Sequence, residues 1–82
     1  MKNLKIRVYK LGKLEPDTTV TIPGGVLRLA AKLIPKRAKD AMLHEGIDMD
    51  ELVRLAEQPD VEGTLVEVEE HEKNERVVVA LE

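Results

Sequence analysis

The sequence predicts an α+β fold: one four-stranded, mainly antiparallel sheet, built in the order β-β-α-α-α-β-β, with three short helices on one face. Three observations predict it. Apolar and polar residues alternate near both ends of the chain, the period-two signature of half-buried strands. The middle carries helical spacing punctuated by Pro23, Pro35 and Pro59. Two hairpins separated by such an insert pair most simply in one sheet, with helices over one face and water on the other.

Eighty-two residues form one domain, 1–82, near the size where burial only just offsets chain entropy. Cysteine is absent, so packing alone holds the interior, which fits a reducing compartment. Tyr9 is the single aromatic residue, so no stacking platform for bases or sugars exists. No apolar run reaches the roughly 20 residues of a membrane span, and the charged opening Met1-Lys2-Asn3-Leu4-Lys5 lacks the apolar core of a secretory signal. A soluble, cytoplasmic protein is expected.

In the first strand Leu4, Ile6 and Val8 alternate with Lys5, Arg7 and Tyr9. Gly12 and Glu15-Pro16-Asp17 break the pattern, and Thr18-Thr19-Val20-Thr21-Ile22 resumes it with Val20 and Ile22 inward. Pro23-Gly24-Gly25 turns the chain towards a central helix, Val26 to Ile34. Only Arg28 and Lys32 are polar there; Leu29, Leu33, Val26, Ala30, Ile34, Leu27 and Ala31 fill an arc of about 200°, twice the usual stripe. Leu29 is accordingly expected in the core. Gly24-Gly25 lacks the spacing of a phosphate loop.

Pro35 ends that helix and opens a second, Lys36 to Glu45, closed by Gly46; Ala38, Ala41, Met42 and Glu45 share one side, and Leu43 borders it. Asp48 is expected to cap the third helix. Glu51 would reach back to the Asp48 amide, and Ile47 and Leu52 would close a hydrophobic staple. That helix starts at Met49, turns Met49, Leu52, Val53, Leu55 and Ala56 towards the core, and stops before Gln58-Pro59-Asp60. Asp48-x-Asp50-Glu51 lacks the remaining positions of a calcium loop. Thr64, Val66 and Val68 alternate with Leu65, Glu67 and Glu69 in a third strand. Glu70 to Glu75 forms a polar turn, and Arg76 to Leu81 is the last strand, with Val77, Val79 and Leu81 inward.

Charge is uneven. Residues 1–39 carry a net +8 and residues 40–82 a net −11, which returns the overall −3. Either a basic patch meets an anionic partner, or the two halves attract each other within the fold, for example through Lys5 and Arg7 beside Glu67 and Glu69.

His44 and His71 are the residues with ordinary titration near neutrality, and neither has a convincing partner set. His44 suits the C-terminal end of its helix dipole, and His71 lies in a solvated acidic loop with Glu69, Glu70 and Glu72. No catalytic constellation, metal site or cofactor site is expected. The predicted function is protein interaction or self-association, most simply as a homodimer. Candidate contacts are Leu27, Ala31 and Ile34 on the central helix, and Tyr9, Leu65, Val78 and Ala80 on the outer sheet face. The rival reading is nucleic-acid or anionic-surface binding through Arg28, Lys32, Lys36, Arg37 and Lys39, disfavoured by the negative overall charge.

The segments Leu4-Lys5-Ile6-Arg7-Val8, Thr19-Val20-Thr21-Ile22-Pro23, Leu29 to Lys36, Gly46 to Leu52 and Gly63 to Glu69 together resemble a small bacterial domain. That domain accompanies SHOCT-like helical modules in cell-envelope stress proteins of the LiaX or putative-adhesin type. The resemblance implies a non-enzymatic module that binds protein partners or itself, in envelope-stress regulation, and it carries over no catalytic residue.

Overall fold

The computed structural model describes residues 1–82. Strands β1 (Leu4–Lys10), β2 (Thr18–Ile22), β3 (Gly63–Glu70) and β4 (Glu75–Leu81) form one sheet in the order β2-β1-β4-β3, every neighbouring pair antiparallel. Helices α1 (Lys36–His44) and α2 (Met49–Glu57) lie between the two hairpins in sequence. No helix is long and apolar enough to cross a membrane.

Alternation decides what is buried. Leu4, Ile6 and Val8 of β1 stand opposite Leu81, Val79 and Val77 of β4, and this double row is the floor of the core. Leu27, Ile34, Ala38, Met42, Leu52 and Ala56 close over it from the helical side. Each buried leucine or isoleucine contributes about 1.5–3 kcal/mol by leaving water. With no buried polar or charged residue, that gain carries no penalty for desolvating polar side chains.

Two of the three expected helices form. The third segment instead folds as two 3-10 turns, Gly24–Val26 and Ala31–Leu33, joined by irregular turns. Its bonds run mostly three residues back: Val26 to Pro23, Leu27 to Gly24, Leu33 to Ala30 and Ile34 to Ala31. Two glycines at the entry favour the coil, Pro35 forces Ile34 into an extended conformation, and the span between is too short to nucleate an α-helix well. The tighter winding divides the apolar run between core and surface. Leu27 and Ile34 are core, whereas Leu29 is 87% exposed and Leu33 63%. The expectation that Leu29 lies inside is therefore overturned.

The outer sheet face also differs from its reading in sequence. Val78 and Ala80 are buried, although neither belongs to the main core. Arg7 and Glu67 flank Val78, and Lys5 and Thr64 flank Ala80, so polar chains lie across the small apolar residues of β4. A bulge in β3 sets Thr64 opposite Ala80 and Val66 opposite Val79. The extra residue, Leu65, packs against the core rather than standing on the outer face. Strand β4 separates β1 from β3, so Lys5 and Arg7 do not adjoin Glu67 and Glu69. Arg7 instead forms a forked pair with Glu82 at 2.7 and 2.8 Å, Arg76 meets Glu67 at 3.3 Å, and the Arg76 guanidinium lies 4.3 Å from the centre of the Tyr9 ring.

Opposite charges from the two halves of the sequence meet across the fold. Arg37 reaches Glu75 at 2.5 Å and Glu70 at 3.6 Å, Arg28 reaches Asp50 at 2.5 Å, and Lys10 reaches Glu75 at 3.9 Å. The exposed pairs among them, such as Arg28 with Asp50, add at most about 1 kcal/mol each.

The Arg7 hydrogen bonds hold the Glu82 carboxyl below its ordinary range, and Glu82 in turn holds the Arg7 guanidinium above its own. A depressed carboxylate stabilises the fold above its unfolded pKa and loses that contribution as pH falls through the folded value. Glu82→Gln is expected to lower the melting temperature slightly at pH 7. The difference from the parent should shrink as pH falls below the usual glutamate range, as thermal unfolding across a pH series would register. A difference independent of pH would deny the charge of Glu82 this role.

Candidate interaction surface

The turn between α1 and α2 builds a groove. Gly46, at φ +80°, reverses the chain after α1; its N–H donates to the Leu43 carbonyl at 2.9 Å, and the Ile47 N–H donates to the Met42 carbonyl at 2.8 Å. This paired closure of the helix end brings Ile47 back against Met42. One residue on, the Asp48 carboxylate accepts the Glu51 N–H at 2.8 Å and fixes the start of α2. The expected reciprocal bond from the Glu51 side chain is replaced by an ion pair with Arg54, whose guanidinium it holds above its ordinary pKa. Leu52 is buried and Ile47 packs against the core, as the staple requires.

Between this turn and the Ala31–Leu33 segment lies an apolar groove of about 330 Å³. Ala31, Ile34, Met42, Leu43, Ile47, Met49 and Leu52 line it, and Lys39 and Asp48 supply its only polar side chains. Leu43 is 58% exposed at the groove, and Leu33, which does not line it, is exposed on the segment that forms one wall. Methionine at two lining positions makes such a wall adaptable to what it receives.

The residues expected from sequence distribute unevenly around this surface. Ala31 lines the groove and is half-buried; Ile34 lines it too, but as a core residue, and Leu27 is buried. Neither Leu27 nor Ile34 presents a free contact surface. Tyr9 is half-buried on the outer sheet beneath Arg76, Leu65 faces the core, and Val78 and Ala80 are covered. The apolar sheet-face contact therefore does not exist as a patch. Leu33 and Leu43 take the place of these residues, and sequence reading missed them as surface. Leu43 bordered the apolar side of its helix in the sequence, and that offset was the available signal.

The basic positions are largely engaged. Arg28 pairs with Asp50, Lys36 with Asp40 at 2.9 Å, and Arg37 with Glu70 and Glu75, which leaves Lys32 and Lys39 outside any ion pair. His44 is exposed in the last turn of α1, beside an open cleft between that helix and β3. His71 stands 3.2 Å from Glu69 on the β3–β4 connection. No group of three or more histidine, aspartate or glutamate side chains is arranged to hold a metal ion.

A family model described as YvlB-like protein, C-terminal domain, matches residues 2–80, and the chain belongs to that small bacterial family. No curated protein and no solved structure matches it.

Proposed function

We propose that this YvlB-like C-terminal domain is a non-catalytic self-association module that forms a twofold homodimer through the groove between α1, α2 and the Ala31–Leu33 segment. The observation that carries the reading is an apolar groove with the exposed Leu43 in its lining and the exposed Leu33 on the segment that forms one wall. A second copy suits the groove because the required chemistry recurs on itself. Each copy offers a projecting leucine and a cavity to receive one, and twofold symmetry satisfies both at once. The two polar groups of the groove are of opposite sign, Lys39 having no ion pair and Asp48 an accessible carboxylate, so each can face the other across the axis.

Support for a non-catalytic role comes from an interior without polar side chains, and from shifted titration in Arg7, Glu82 and Arg54, which serve surface ion pairs. The cysteine-free sequence favours a cytoplasmic setting. The resemblance to envelope-stress proteins favours regulation of that response as the context in which self-association is used.

The test is a double substitution, Leu33→Asp with Leu43→Asp. Both side chains are mostly exposed, so the fold should persist by circular dichroism, whereas the groove contact should be lost and the oligomer reduced in size because facing carboxylates enter it. A folded double variant with the oligomeric state of the parent would overturn the proposal.

A further inference from the structure

The two edges of the sheet are built differently. The β3 edge carries Glu67, Glu69 and Glu70 and is broken by the bulge at Thr64/Val66, both devices that discourage another strand from adding. The β2 edge has neither. Its five residues, Thr18-Thr19-Val20-Thr21-Ile22, include no charge, no proline and no irregularity in register, and three of the five are β-branched threonines exposed to solvent. β1 is the only strand paired with it, so one row of its backbone N–H and C=O groups has no strand partner.

From this asymmetry we infer a second contact, distinct from the groove: β2 pairs antiparallel with β2 of another copy and joins two four-stranded sheets into one of eight strands. The strand is complementary to itself about Val20. With Val20 opposite its own mate, Thr19 faces Thr21, Thr18 faces Ile22, Asp17 faces Pro23 and Glu15 faces Gly25, so no charged residue meets another. Facing threonines are a favourable cross-strand pair, and the half-buried Val20 side chains cover each other. Pro23 lacks an N–H and ends the ladder at Ile22. Two β3 edges brought together would instead oppose carboxylates. A copy of this chain is thus accepted at one edge and refused at the other. Used together with the groove, two separate twofold contacts on one domain link more than two copies.

The lack of native cysteine makes disulfide trapping unambiguous. In the inferred register a cysteine at position 20 faces its mate at a Cα separation of roughly 4.5–5.5 Å, within disulfide reach. A cysteine at position 19 lies two residues out of register with its mate and beyond that reach. Val20→Cys is expected to oxidise to a covalent dimer, Thr19→Cys to remain largely monomeric, and the Val20→Cys dimer to persist when Leu33→Asp and Leu43→Asp remove the groove contact. A Val20→Cys chain that cross-links no faster than Leu14→Cys in the exposed loop would overturn the inference. So would equal cross-linking of Thr19→Cys and Val20→Cys.

A second pair of variants needs no substitution on the core side. In the groove-deficient background, Thr19→Lys/Thr21→Lys should abolish the remaining association, whereas Thr19→Lys/Thr21→Glu, which sets unlike charges opposite each other, should retain it. Identical masses for the two variants would contradict the register.

Discussion

Leu27→Asp is expected to unfold the domain, while Leu29→Asp leaves it folded. The two leucines are two residues apart in one apolar run, yet Leu27 is 1% exposed within the core and Leu29 is 87% exposed. At position 27 the substitution removes a buried leucine and confronts the interior with a carboxylate that has no partner. The combined cost is on the order of 5 kcal/mol or more. The whole stability of a domain of this length is roughly 4 to 12 kcal/mol, so little or none survives. At position 29 the carboxylate stays in water, and the change in stability should be about 0.5 kcal/mol or less. Far-ultraviolet circular dichroism with thermal melts separates the cases. A regular helix from Val26 to Ile34 with Leu29 inward would give the opposite order.

Gly24 and Gly25 are expected to differ as sharply. A Cβ at Gly24 would collide with the Lys2 carbonyl oxygen and stand 2.9 Å from the Met1 Cβ, so the backbone beside the start of β1 must move. Gly24→Ala should cost about 1–3 kcal/mol, a fall in melting temperature of roughly 5–20 °C. A Cβ at Gly25 meets nothing within 4 Å, and Gly25 does not have positive φ. Gly25→Ala should therefore be neutral or slightly stabilising, because alanine has less freedom to lose on folding. Equal melting temperatures for the two variants would mean that Gly24 does not pack against Lys2 as described.

The contrast between these glycines explains which parts of the fold were legible in the sequence. All four strands announce themselves by alternation, and α2 by Asp48 and its staple, because the signals are local: a side chain, its own backbone and a neighbour three or four residues away. The close approach of Gly24 to Lys2 joins residues far apart in sequence and leaves no local trace. The same holds for the Leu29 error. Nearly all of Val26 to Ile34 is apolar, so periodicity had little contrast to work with, and the choice between an α-helix and 3-10 turns fell to Pro35, the glycines and the shape of the layer beneath. Leu65 was misplaced for a different reason. One bulge shifts a residue from one sheet face to the other, and strict alternation has no means of marking it. Val78 and Ala80 stand on the outer face yet are buried there, between the longer Arg7, Glu67, Lys5 and Thr64 at the paired positions of neighbouring strands.

These corrections move the candidate contact without changing its kind. The apolar surplus expected in the central segment is present, but its exposed members are Val26, Leu29 and Leu33 rather than Leu27 and Ile34. The turn at Gly46 adds Leu43 and the groove beside it. Of the basic positions that form the alternative surface, Arg28, Lys36 and Arg37 are tied to acids from the other half of the chain, which meets part of the charge asymmetry within a single copy.

The most direct measurement of the central claim is the solution mass of the unaltered protein by light scattering, across a concentration series at low and high salt. Apolar contact predicts a mass of at least twice the 9.2 kDa of one chain, approached with rising concentration and retained in high salt. A mass of 9.2 kDa at every concentration and both salt levels would contradict self-association.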